Sequence, residues 1–137
     1  MEKIKVNIDW CDKNFGASTS DERLGGSVVA THRSYEGVLV ALREAIAFHV
    51  EGCVADGDVL PAWLVSGDYE FDVEMSVSAL LRRSEQFTSY AALSRASGIN
   101  VQQLSHYANG LKHPRTEQRE RIVAGLRQIS SNLLAMV

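Results

Sequence analysis

Carboxylates are the first groups in this sequence that could do chemistry. Asp9 and Asp12 lie near the start, Glu44 lies in a stretch of helical spacing, and Asp72 and Glu74 stand two residues apart. A two-metal nuclease needs several carboxylates converging on ions about 3.5–4 Å apart. Positions i and i+2 of a strand share a face, so Asp72 and Glu74 could contribute to such a site. The set is not completed. Glu44 follows Arg43 beside an apolar stripe and is expected to point to solvent. His32 and His49 stand alone, and His49, beside that stripe, suits packing better than ligation. Cys11 and Cys53 form no C-x-x-C, and no histidine pair offers a transition-metal site. No Ser or Cys stands in a local arrangement with His that would activate it as a nucleophile. The expectation is a chain that is not an enzyme and carries no metal and no cofactor.

A second group of polar residues lies in SYAALSRASGINVQQLSHYANGLKHP, residues 89–114. Gln102 and Gln103 would open a helix, with His106 one turn on. Glutamine pairs bidentately with adenine N6 and N7, and the first turn of a groove-bound helix reaches base edges. Ser89, Tyr90, Asn100, Ser105, Tyr107, Asn109, Lys112, His113 and Arg115 surround them, and such hydroxyls, amides and cations hold phosphates and set register. The plainer alternative is a solvated helix surface. One unit of this kind makes few contacts, so the expectation includes a homodimer reading two half-sites of operator DNA. Leu126, Ile129, Leu133, Leu134 and Met136 continue an apolar stripe that could be core or dimer seam.

Those side chains need a scaffold, and hydrophobic periodicity supplies one. Ile4, Val6 and Ile8 alternate with polar residues and predict a strand over 3–10. Residues 11–16 read as a turn, 15–18 as a weak second strand, 19–26 as a loop and 28–31 as a third strand. Ser34 is an N-cap for a helix over 35–51 that Gly52 can end. A loop carries Asp56-Gly57-Asp58 and Pro61, and residues 69–77 alternate cleanly as a strand. Beyond this the period becomes helical, over 77–85, 89–97, 101–109 and 116–134. Gly98 suits a tight turn at positive φ, Asn100 can cap the helix after it, and Gly110 can end that helix. The predicted fold class is α+β: a small β-β-β-α-β sheet domain over 1–76, then an all-α helix-turn-helix domain over 77–137.

Length and charge agree with two small parts. The chain has 137 residues, 45% of them apolar, and a formal net charge of −3. Residues 1–85 carry 15 Asp/Glu against 8 Lys/Arg, and residues 86–137 carry 2 against 6. The average of −3 therefore hides an acidic part and a basic one, and by charge alone the basic part could be an ordinary solvated face. No apolar run is long enough to span a membrane, and the first residues lack a secretory pattern. Reduced thiols and a cytoplasmic location are expected.

Residues 89–114 resemble the phage-repressor-like helix-turn-helix family. Leu93, Gly98, Ile99, Leu104, Ser105, Gly110 and Pro114 occupy its pattern positions, Tyr107 stands at a frequent aromatic, and Ile122 and Leu126 fit its closing helix. Ser94 replaces the usual small alanine. The first part resembles the N-terminal domain of HicB-type antitoxins, through KIKVNIDW with FGAS after it, VVATHRSYEGVLVALREAIAFHVEG, DGDVLP and YEFDVEMSVSALL. It departs from the commoner form by lacking a proline-rich turn in 15–26 and by replacing a ribbon-helix-helix with the helix-turn-helix. The resemblance implies a partial ribonuclease-H-like sheet and a small basic HicA-like mRNA-cleaving toxin as partner. It also implies repression of the chain's own operon. Asp9, Asp72 and Glu74 would supply charge complementarity to such a toxin, and Trp10 an aromatic anchor. The remaining alternatives are a stand-alone regulator whose acidic domain binds a ligand or dimerises, and the metal-dependent nuclease.

Overall fold

Ile4, Val6 and Ile8 are fully buried while Lys3, Lys5 and Asn7 between them are exposed, so β1 (Glu2–Cys11) turns one face to a core and one to solvent. The computed structural model describes all 137 residues and shows a mixed α+β chain, with a four-stranded mixed sheet and six α-helices. The chain divides into two compact units, Met1–Ser76 and Val77–Val137.

In the first unit β1 pairs antiparallel with β2 (Asn14–Thr19), which pairs antiparallel with β3 (Val28–His32). The turn between β1 and β2 is shorter than the 11–16 expected. Asp12 and Lys13 both take positive φ, 51° and 65°, and close a two-residue hairpin. Gly16 therefore lies inside β2 rather than in the turn. The loop after β2 contains a single 3-10 turn, Glu22–Leu24, that buries Leu24 completely. Arg23 secures it, donating to Asp21, to Glu2 and to the Lys3 carbonyl while lying over the Trp63 ring.

Helix α1 (Tyr35–Ala55) starts where the Ser34 hydroxyl accepts from Gly37 N at 2.9 Å. Tyr35, Val38, Leu42, Ile46 and Val50 form its buried stripe. The helix runs past Gly52, the expected stop. It ends at Ala55, capped by Asp56, and the chain turns away at Gly57, φ 86°, where Asp58 N reaches back to the Cys53 carbonyl and Gly57 N to that of Val54. A short α2 (Ala62–Val65) follows Pro61 and buries Leu64, within the stretch expected to be loop. Then β4 (Tyr69–Met75) joins β1 in parallel, giving the order β3-β2-β1-β4. A parallel partner requires a crossover, and α1 supplies it. Strand β4 ends at Met75 rather than 77, because Val77 belongs to the core of the second unit.

The second unit is α3 (Val77–Ser84), α4 (Tyr90–Ser97), α5 (Val101–Ala108) and α6 (Thr116–Ala135). Val77, Leu81, Leu93, Ile99, Leu104, Tyr107, Ala108 and Ile122 make its core. The stripe on α6 divides: Leu126 and Ile129 pack on that core, whereas Leu133, Leu134 and Met136 are exposed. No helix is long and apolar enough to cross a membrane.

Candidate nucleic-acid interface

Three local devices set the angle between α4 and α5. The Ser89 hydroxyl caps α4 by accepting from Ala92 N at 3.1 Å. Gly98 ends α4 at φ 74°, in the left-handed region, with its N–H on the Ser94 carbonyl. The Asn100 side chain caps α5 by accepting from Gln103 N at 2.7 Å. The result is two eight-residue helices joined across Gly98–Asn100, with Ile99 of the turn buried.

Helix α5 buries Leu104, Tyr107 and Ala108. Its outer side carries Gln102, Ser105, His106 and Asn109, at helical positions i, i+3, i+4 and i+7. Gln102 and Asn109 are exposed, and Ser105 and His106 half-buried. The His106 Nδ1 is buried with no hydrogen-bond partner. Gln103 does not share this side. Its Nε2 donates to the Tyr107 hydroxyl at 2.9 Å, which also accepts from Gln118 Nε2 of α6 at 3.4 Å. Arg121 in turn donates to Gln118 Oε1 at 2.9 Å. Tyr107 is only 4% exposed, so the expected surface contact is a core residue that holds α5 to α6. Asn100 is exposed but spends its side-chain oxygen on the cap. Ser89, Lys112, His113 and Arg115 are all exposed.

The far end of α5 is held by α3. The Ala108 carbonyl accepts from Ser78 Oγ at 2.8 Å and from Arg82 Nε at 3.3 Å, which satisfies a helix-end acceptor. Arg82 also donates to Asn109 Oδ1. The Asn109 amide nitrogen is directed to Ser105 Oγ at 3.4 Å. Arg82 pairs with Glu85 at 3.2 Å, and the Tyr90 hydroxyl donates to the same carboxylate at 2.9 Å. Arg82, Glu85, Gln118 and Arg121 are not among the expected residues; the contacts of Arg82 with Ala108 and Asn109 and of Gln118 with Tyr107 span 11 to 27 residues and leave no local signal. The unit holds 8 Lys/Arg against 3 Asp/Glu, a balance of +5, whereas residues 1–76 hold 6 against 14, a balance of −8.

Tyr90 gives this network a pH signature. Burial, with the hydrogen bond that the phenol donates to the Glu85 carboxylate, pushes it well above its ordinary value. A group raised on folding contributes stability that is complete below the unfolded value of about 10 and is lost as pH rises beyond it. Tyr69, raised chiefly by burial, adds to the same alkaline loss. Thermal melts should show stability falling as pH rises above about 10, and Tyr90→Phe should flatten part of that fall. An unchanged slope in Tyr90→Phe would remove Tyr90 as a source of that loss.

The four acidic-unit candidates are not one patch. Neighbours on a strand face opposite ways, so Asp9 lies on the uncovered sheet face while Trp10 lies on the other, with its ring edge-on to Phe15 at 4.9 Å. The Asp9 carboxylate accepts from Ser76 Oγ at 2.6 Å and from Trp10 N at 2.8 Å. Asp72 and Glu74 are exposed beside Asp9's face, and Glu74 pairs with Lys5 at 3.4 Å. His49 Nε2 lies 2.6 Å from the Leu24 carbonyl. No three His, Cys, Asp or Glu side chains are grouped as metal ligands. Comparison with known protein families, with curated proteins and with solved structures finds no match.

Proposed function

We propose that this chain is a DNA-binding repressor and antitoxin. Its helical unit binds operator DNA, and its acidic sheet unit binds and neutralises a small basic mRNA-cleaving toxin of the HicA kind. The observation that carries the reading is the capped helix–turn–helix pair, with Gln102, Ser105, His106 and Asn109 on the outer side of α5. A helix presented in this way enters the major groove, its first-turn side chains meeting base edges. Lys112, His113 and Arg115, exposed just beyond the helix, supply the phosphate contacts that fix register. A single short helix reads few base pairs, so the working form is a homodimer on two half-sites about 34 Å apart. The resemblance to HicB antitoxins supplies the toxin, and the balance of −8 over residues 1–76 supports a basic partner. The sheet order is compatible with a partial ribonuclease-H-like domain serving as a binding module.

Two measurements test the two halves of this reading separately. Fluorescence anisotropy with the chain's own promoter should show binding that weakens steeply with salt and exceeds binding to an unrelated duplex. Equal affinity for both duplexes defeats the operator reading. Co-expression with the adjacent small gene should yield a complex with a basic protein that arrests growth when made alone. Absence of the complex, or a harmless partner, leaves a stand-alone regulator in place of an antitoxin.

A further inference from the structure

The acidic unit has a sheet edge whose chemistry selects its partner. Strand β1 lies between β2 and β4, but β4 pairs with β1 alone, so its outer backbone groups face away from the sheet. The Tyr69 carbonyl accepts from Arg43 at 3.1 Å, and residues 70–75 make no hydrogen bond on that outer side. The two faces of β4 differ. Glu70, Asp72 and Glu74 stand exposed on the uncovered face, and Phe71, Val73 and Met75 are only half-buried on the face they share with Ile4, Val6 and Ile8. Lys3 and Lys5 meet the acidic row from β1, in register with Glu70 and Asp72, and nothing meets it from outside.

We propose that the outer edge of β4 is a docking strand for an extended segment of the partner that alternates basic and apolar residues. The proposal rests on the reading that this unit binds a basic protein, and it names the surface and the mode. An added strand would complete the backbone ladder, set Lys or Arg against Glu70, Asp72 and Glu74, and cover Phe71, Val73 and Met75. A second copy of this chain is a poor occupant. Antiparallel pairing of β4 with itself about Asp72 sets Asp72 against Asp72 and Glu70 against Glu74, and like charges directly opposite are destabilising. Slipping one residue turns the acidic row onto the apolar one. The other edge, β3, carries Val29 and Thr31 on the uncovered face and no carboxylate, so it lacks this selectivity.

The test uses the full chain and a fluorescein-labelled seven-residue peptide of alternating Lys and Val. It should bind about tenfold more tightly than a peptide of the same composition with its lysines and valines in separate blocks. The Glu70→Gln plus Asp72→Gln variant, changed only at exposed positions and setting no like charge against Lys3 or Lys5, should keep its melting temperature and lose that preference. A strand uses alternate amides for each neighbour, so N-methylation of one alternate set should abolish binding while methylation of the other is tolerated. Equal binding of alternating and block peptides overturns the proposal, as does tolerance of both methylation patterns. So does a chain that co-purifies a basic toxin yet ignores every peptide, and in that case the antitoxin reading stands without this edge.

Discussion

Gln102→Ala is expected to weaken binding to the promoter about ten- to a hundredfold and leave binding to an unrelated duplex unchanged, whereas Gln103→Ala should keep the discrimination. The two residues are adjacent and chemically identical, so composition cannot separate them. Their positions on α5 do. Gln102 is exposed on the outer side with His106 one turn beyond, and its amide has no hydrogen-bond partner within the chain. A good bidentate contact to adenine contributes about 1–3 kcal/mol of discrimination, which corresponds to that range of affinity. Gln103 is half-buried and turned to the Tyr107 hydroxyl. Removing its amide deletes one hydrogen bond between α5 side chains, a loss of about 1 kcal/mol of stability. Anisotropy titrations on promoter and unrelated duplexes, with a denaturation curve for each variant, separate the outcomes. Loss of discrimination in Gln103→Ala with full discrimination in Gln102→Ala would reverse the assignment and place the opposite side of α5 against the bases.

What was legible in the sequence was local. Alternation at Ile4, Val6 and Ile8 writes β1, and alternation from Tyr69 writes β4, because period two is a property of neighbouring residues. Ser34 and Asn100 act three residues along the chain, so their caps could be read directly, whereas Ser89, expected at the DNA, proves to cap α4. Strand parity also separates Asp9 from Trp10, which lie on opposite faces of β1. The end of α1 was harder. Gly52 and Gly57 are both plausible stops, and only the backbone conformation at Gly57 decides between them. Contacts between distant segments were not legible at all. Arg82 meets Ala108 and Asn109 across 26 and 27 residues, and Gln118 meets Tyr107 across 11. No periodicity records such pairs, so Tyr107 looked like a surface aromatic and Gln103 like a twin of Gln102.

Gly125→Val should be the most damaging single change in the helical unit, lowering stability by about 3 kcal/mol or more, although glycine is a poor residue inside a helix. Alanine in place of an interior glycine ordinarily adds about 1 kcal/mol through backbone entropy. Here α6 passes so close to α4 that space decides. A Cβ on Gly125 would lie 3.0 Å from Ser97 Cβ, 3.1 Å from Leu93 Cδ1 and 3.2 Å from Ser97 N. One methyl group asks its neighbours to yield by a few tenths of an ångström, which offsets the helical gain and leaves Gly125→Ala within about 1 kcal/mol of the parent. Valine adds two branches against a backbone atom that cannot yield. Separating α4 from α6 then strips cover from Leu93, which is fully buried, so a cavity penalty joins the overpacking. The same contact fixes the helix that leads into the Gly98 turn, and through that turn the direction of α5. Urea denaturation should therefore show a lower midpoint at similar slope for Gly125→Val, and promoter binding should fall with the folded fraction. A Gly125→Val protein with the parent midpoint would mean that α4 and α6 do not approach this closely.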